Sequence, residues 1–405
     1  MIRGFRKHHH RLVLGTLLLS LLGSAFLPGS LGSSVVVADS SLVEREVKQL
    51  ITRKAFAVNH HDRKAFLASL HPEMNTFRQE QKRWFDDAIH WVDSGSYHLK
   101  LLSIIPDKKD HQVRALLEQQ YSHHGKVYTV KFPVTYQETE KGWKEADIPF
   151  EHLRRGSILV RYSDPTLQEQ AHIALEAADR GVGVLGRRFG WHPQERVEVK
   201  LYSRPEIFRQ SVKLSLPQWA GGWHEAGQAV KLIGSTEVTD SKLFSSSIVH
   251  EVTHQMVSEL SGDNAAYWLQ EGAAEYFQSH LLPGIRSEEE AVDFKPHWSM
   301  TQLEALNLER LPSKEATAYY AQCYQFYRFL IEEEGYAKMK QLFSVLKLHS
   351  TIDQDSAEKL PLINQRTRSA VEKVYHAKLP TLEQRWFDWL KRVDADKESQ
   401  KTGTP

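Results

Sequence analysis

The chain of 405 residues holds a single cysteine, Cys323. One thiol builds no intrachain disulfide and no cysteine-rich metal cluster. Net charge is nearly absent too, formally +1 at pH 7. No domain is strongly basic, so the electrostatic footprint of a nucleic-acid binder is missing. Beyond the first thirty or so residues the chain has no long uncharged apolar run. What it does have is an ordinary globular composition, 41% hydrophobic and 25% charged. That supplies apolar surface for real cores and excludes general disorder. The length allows two or three domains.

The exception to the missing apolar run is the N-terminus. Arg3, Arg6, Lys7 and Arg11 precede an uncharged stretch from Leu12 to Leu27. Pro28-Gly29-Ser30 breaks it, and Val36-Val37-Ala38 presents small residues before Asp39. This is the layout of a secretory signal peptide over residues 1–38. The run is shorter than the roughly 20 residues a spanning helix needs. An uncleaved N-terminal anchor is the competing reading and the only membrane contact expected. Either way the body of the protein is expected outside the cytoplasm, secreted or in a cell envelope. An exported chain without disulfides fits a bacterial exterior.

Residues 41–155 read as a first domain. Val43, Val47, Leu50 and Ile51 give helical spacing over 42–58, and Arg63 to Leu70 continues as a short helix. Phe77 to Val92 is a further helix carrying Trp84, Phe85, Ile89 and Trp91. Alternating segments then run over 97–105, 112–121, 126–136 and 143–150, with a turn at Ser122-His123-His124-Gly125. Helices followed by antiparallel strands make an α+β layout. His60, His61, His123 and His124 read as turn residues. The stretch Val134–Ile148, in which Gly142-Trp143 opens the last strand, resembles the SnoaL-like, nuclear transport factor 2-like cone. Such cones serve as enzymes, binding pockets or dimerising modules, so the fold alone assigns no role; substrate or envelope binding, or assembly, is the expectation here.

Residues 156–395 read as a second domain and 396–405 as a disordered tail. Ser157–Tyr162 is a strand, and Asp164-Pro165 caps a helix running toward Leu185. Val197–Tyr202 is a second strand, 204–212 a short helix, and 228–233 a third strand. His224 and Glu225 read as a polar loop ahead of it.

The chemistry concentrates in His250-Glu251-Val252-Thr253-His254. Ile248, Val252 and Met256 recur every four residues, with Val249, Val257 and Leu260 widening the stripe, so a helix buried on one side is expected. Residues four apart share a helix face. His250 and His254 can therefore meet one zinc ion at roughly 2.0–2.1 Å. Glu251 lies about 100° round the helix, placed to reach a water beside the metal. With 21 histidines in the chain, a bare His-Glu-x-x-His arises by chance in about one such chain in ten. Context decides.

That context follows Ser261-Gly262, a helix stop, and Asp263 or Asn264, expected caps of the next helix. The helix over 265–281 contains Trp268-Leu269-Gln270-Glu271-Gly272-Ala273-Ala274-Glu275-Tyr276. The two motifs together resemble the gluzincin group, most closely the bacterial peptidase MA-like metalloproteases, with a thermolysin-like catalytic lobe. The resemblance implies Glu271 as third zinc ligand and Glu275 as the acid that orients a ligating imidazole. It implies a substrate-pairing edge strand, for which Ala229–Ile233 is the candidate. Gly272 and Ala273 are expected to let the two motif helices approach. Farther on, Tyr320-Ala321-Gln322-Cys323 is similar to the family's Tyr-x-Gln-Ser segment, with Cys in place of Ser. Tyr320, with His224 beside it, is the candidate oxyanion donor. Gluzincin aminopeptidases carry a Gly-x-Met-Glu-Asn motif that this chain lacks, so no aminopeptidase is implied.

The expectation is an extracytoplasmic, zinc-dependent metalloprotease with one zinc per chain and a peptide or protein substrate. Glu251 is the general base on a metal-activated water. The rival expectation is a catalytically silent zinc-binding or assembly protein of the envelope.

Overall fold

The computed structural model describes residues 33–107, 111–234, 241–281, 294–354 and 356–402. Most of the expected signal segment, residues 1–32, lies outside them. Among the described residues, no helix is long and apolar enough to cross a membrane.

The first region is built from helices α1 (Ser33–Asn59), α2 (Arg63–Ala68) and α3 (Asn75–Trp91), then strands β1 (His98–Pro106), β2 (Gln112–His123), β3 (Lys126–Thr139) and β4 (Gly142–Glu145). The strands form an antiparallel sheet in the order β1-β2-β3-β4. Alternation dictates its sidedness: in β2 every second residue from Val113 to Tyr121 is buried, as the period of 2 in a half-buried strand requires. On α3, Phe77, Trp84, Phe85 and Ala88 turn into the core. They meet Phe66, Tyr97 and Tyr121 there. Of the histidines expected in turns, His123 instead ends β2 and is half-buried against Trp91. His61 and His124 take left-handed backbone, with φ of 55° and 50°, and both are exposed.

A second sheet comprises β5 (Glu151–Arg155), β6 (Ile158–Tyr162), β7 (Val197–Tyr202), β8 (Gly222–Trp223) and β9 (Val230–Ile233), in the order β5-β6-β7-β9-β8. β6, β7 and β9 run parallel, while β5 and β8 flank them antiparallel. Two expectations change here. Residues 151–155, assigned from sequence to the first region, pair with β6 and open the second sheet. Gly156, at φ 55°, is the tight turn of that hairpin rather than a boundary. And Ala229–Ile233 is not the edge: β9 is interior, covered on its outer side by β8. Gly227, at φ 74°, lies in the turn by which the chain folds back from β8 into β9.

Helices α4 (Gln168–Phe189) and α5 (Pro205–Val212) connect the parallel strands. Then come α6 (Ser241–Ser261), α7 (Tyr267–Leu281), α8 (Met300–Ala305), α9 (Ser313–Leu346), α10 (Ser356–Tyr375) and α11 (Leu379–Thr402). The fold class is α+β, an antiparallel sheet region followed by a largely helical one. α9 runs on past Gly335 through a kink where that glycine takes φ 82°. Of the stretch 396–405, expected to be a disordered tail, 396–402 continue the last helix to Thr402 and 403–405 lie outside the described residues.

The main core packs β6, β7 and β9 with α4, α6, α7 and α9. A second core crosses between the regions. Val47 and Leu50 of α1 and Val113, Phe132 and Tyr136 of the first sheet share one buried cluster with Tyr202, Ile207, Phe208 and Val212. The two regions are therefore fused by a hydrophobic seam, not strung on a linker.

Candidate active site

α6 mixes apolar residues with serines and the polar residues of the motif, yet most of it is buried, so it is enclosed rather than laid on a surface. Ile248, Val249, Val252, Met256 and Val257 are each fully buried. The one-sided burial expected from the stripe is too modest: Thr253, Gln255 and Ser258 are buried as well. Against α4 the approach is close. A methyl placed on Gly181 would touch Val249 and Val252 at 3.8 and 3.9 Å.

The turn from α6 to α7 is tight. Gly262 and Asp263 both take left-handed backbone, with φ of 65° and 60°. Asp263 and Asn264 do not cap α7. The Asn264 Nδ2 faces the carbonyls of Gly262, His349 and Leu346 at 3.0, 3.2 and 3.3 Å. Asp263 pairs with Lys359 at 3.0 Å. Both side chains serve long-range ties that short capping bonds would forgo. Gly272 also acts differently from expectation. A Cβ there would stand 2.6 Å from the Cys323 carbonyl oxygen and 2.7 Å from the Tyr327 Cβ. The close approach it permits is α7 on α9, not α7 on α6. Gln322, next to Cys323, is buried, and its side chain binds the backbone of His297 and Trp298 at 2.8, 3.1 and 2.6 Å.

This packing brings His250, His254 and Glu271 together. The two Nε2 atoms lie 3.1 Å apart, and Glu271 Oε2 lies 3.3 Å from one and 3.4 Å from the other. Four ligands arranged tetrahedrally about 2.0–2.1 Å from a zinc ion stand about 3.3–3.4 Å from one another. The triangle thus has the size of one face of a zinc tetrahedron. Glu271 Oε2 is buried without a hydrogen-bond partner, a costly state unless something else meets the oxygen. Two imidazoles and a carboxylate suit zinc as a donor set. Glu275 Oε1 stands 3.4 Å from Nδ1 of His250, on the side of the ring away from the triangle, where an outer carboxylate would fix the tautomer.

The electrostatics are mutual. Burial pushes the Glu271 carboxyl up, but the imidazoles of His254 and His250 outweigh it and bring it down to about 2. Burial drives His250 toward its neutral form, yet Glu271 and Glu251 raise it above the usual range. Glu251 moves the other way. Burial raises it, and the two imidazoles offset only part of that.

A cleft opens over the triangle, with Glu251, Tyr320 and His224 in its lining. The Tyr320 ring lies 6.1 Å from that of His250. Burial, then the Glu271 and Glu251 carboxylates, hold its hydroxyl well above the ordinary tyrosine range. It therefore stays a donor. Burial likewise pushes His224 down to about 3, helped by His254 and Lys231. The edge strand touches the site directly: a Cβ on Gly222 would fall 2.3 Å from Glu251 Oε1. Gly222, Trp219 and Trp223 also line the cleft. None of these three stood out in the sequence, although the glycine pair ahead of His224 was the available signal of close backbone approach.

A second group of donors, Asp93, His123 and His124, gathers in the first region. The Asp93 oxygens accept the backbone N–H groups of His124 and Gly125, each at 2.9 Å. His123 stacks on Trp91 with ring centres 3.5 Å apart. Those bonds account for the group as a braced hairpin turn.

A shared core of sheet and helices, with two histidines and a glutamate converging from α6 and α7, defines the class: a zincin-like peptidase domain. The chain belongs to the Peptidase MA superfamily, whose family model matches residues 177–392. The superfamily is typically zinc-dependent. No curated protein matches the chain.

Proposed function

We propose that the protein is a gluzincin-type zinc peptidase that hydrolyses peptide bonds outside the cytoplasm, its catalytic lobe thermolysin-like. The observation that carries this is the donor triangle: three ligand atoms 3.1 to 3.4 Å apart, one a buried oxygen with no other partner. His250, His254 and Glu271 hold the metal, and Glu275 orients His250. When bound, zinc supplies Lewis acidity, lowering the pKa of water and polarising a carbonyl. The remaining work falls to the chain. Glu251 takes a proton from the attacking water and delivers it to the leaving amine nitrogen. Tyr320 donates its hydroxyl hydrogen to the oxygen that gains charge. β8, at the sheet edge beside Glu251, offers backbone groups to an extended substrate.

The leader over residues 1–38 carries the export reading. The helices and antiparallel sheet of the first region are consistent with a SnoaL-like cone. The deciding experiment measures zinc content and chelator-sensitive cleavage of an unstructured protein such as casein. One zinc per chain and cleavage abolished by chelator are expected. One zinc with no cleavage of any substrate in a broad panel would instead support the silent envelope protein.

A further inference from the structure

Helix α3 belongs to the first region, but one of its faces works for the second. Glu80, Arg83 and Asp87 are spaced three and four apart, so they lie along one side of the helix. The adjoining face buries Phe77, Trp84 and Phe85 in the first region's own core. Each residue of the charged face holds a different part of the cleft's far wall. Glu80 Oε1 accepts the backbone N–H of Ala229 at 3.3 Å and lies 3.6 Å from Lys231 Nζ. Its Oε2 accepts from Lys200 Nζ at 2.7 Å. Arg83 reaches Glu225 at 3.4 Å, and Asp353 at 3.1 Å. Asp87 accepts the backbone N–H groups of Leu214 and Ser215 at 2.6 and 3.1 Å. Between these anchors the chain from 213 to 229 carries Trp219, Gly222, Trp223, His224 and Glu225, all in the cleft lining. Apart from the two residues of β8, that segment has no strand or helix of its own.

We propose that Glu80, Arg83 and Asp87 are positioning residues: α3 fixes the wall at 213–229 and so sets how firmly an extended substrate is held. The first region is then an obligate part of the cleft, not a detachable binding module. The inference rests on the peptidase reading for its kinetic consequence, and on the bonds above for the grip itself.

Glu80 is too deeply buried for a clean test, since its loss takes a carboxylate from two buried lysines. Arg83→Met and Asp87→Asn sit nearer the surface. In full-length protein loaded with zinc, each is expected to raise KM for an extended peptide about five- to tenfold with kcat within about twofold. Zinc content stays at one per chain. Hydrogen exchange quickens in peptides covering 213–229 and is unchanged over 247–277. Unchanged exchange over 213–229 in both variants overturns the grip. Faster exchange with an unchanged KM overturns the positioning role. If the parent cleaves nothing, the peptidase reading falls on its own, and the exchange experiment still decides whether α3 holds the wall.

Discussion

The two sides of the cleft are held by different physics. The catalytic side is two packed helices. α6 and α7 place His250, His254 and Glu271 through backbone hydrogen bonds and complete burial of their packing faces. The far side, 213–229, is mostly loop and depends on charged groups reaching across from α3. Helix packing locks a geometry from many small contacts. Paired charges hold one from a few costly ones. A substitution on the first side should therefore alter chemistry at constant fold. One on the second should alter substrate grip or stability at constant chemistry.

The sharpest break of that contrast is Glu251→Gln. It is expected to cut kcat by about 10²–10⁴-fold, with zinc content and melting temperature unchanged. Peptidase activity that survives in full would remove Glu251 as the base. Glu271→Ala should cost the metal itself, and metal analysis after gel filtration reads it directly. Glu275→Ala is milder, lowering zinc affinity about 10–100-fold, as seen in competition with a fluorescent chelator. Gly222→Ala joins the two sides. Its methyl would fall 2.3 Å from Glu251 Oε1. Activity should drop while zinc stays bound, and activity equal to the parent's would show that β8 yields freely.

On the far side the expected effect is on stability. Lys200 and Lys231 are both buried and share Glu80. The Lys200 charge also meets Asp147 at 2.7 Å. Burial would drive Lys200 toward its neutral form, yet Asp147 and Glu80 hold its pKa well above the ordinary value. Lys231, with weaker support, is lowered by its burial. Glu80→Ala leaves Lys200 to Asp147 alone and takes the nearest carboxylate from Lys231, and it should cost about 3–5 kcal/mol, read from urea midpoints. A loss under 1 kcal/mol would mean that water reaches the pair.

What could be read from the chain follows the same division. His250, Glu251, His254, Glu271 and Glu275 were legible because helical spacing converts sequence distance into a shared face. The strands and most helices were legible from alternation and from caps such as Asp164-Pro165. Illegible were the partners brought together across long sequence distances. Glu80 lies 149 residues from Ala229, and no local pattern marks such a bond. The edge strand was misassigned for a related reason. Gly222–Trp223 is two residues long, too short for any alternation, while 229–233 has the apolar run. The roles of Gly272 and Asn264 were misread because both serve α9 or the segment after it, far along the chain.

The smallest predicted effect tests how closed the far wall is. His224 sits in the cleft lining, and burial brings its pKa down to about 3. In the unfolded chain its pKa returns to about 6.5. Between those values the unfolded state binds more protons, so stability rises with pH and is fully present above about 6.5. Acidification toward pH 4 removes it, because the half-buried imidazole, beside His254 and Lys231, takes up a proton less readily than in the unfolded chain. His224→Gln deletes that titration. Unfolding midpoints in urea, taken with chelator present so that metal release does not intrude, should fall less steeply from pH 6.5 to 4 in the variant than in the parent. Parallel curves would mean that His224 takes up its proton in the folded protein. The wall at 213–229 would then admit water, and the grip of α3 would be looser than its hydrogen bonds imply.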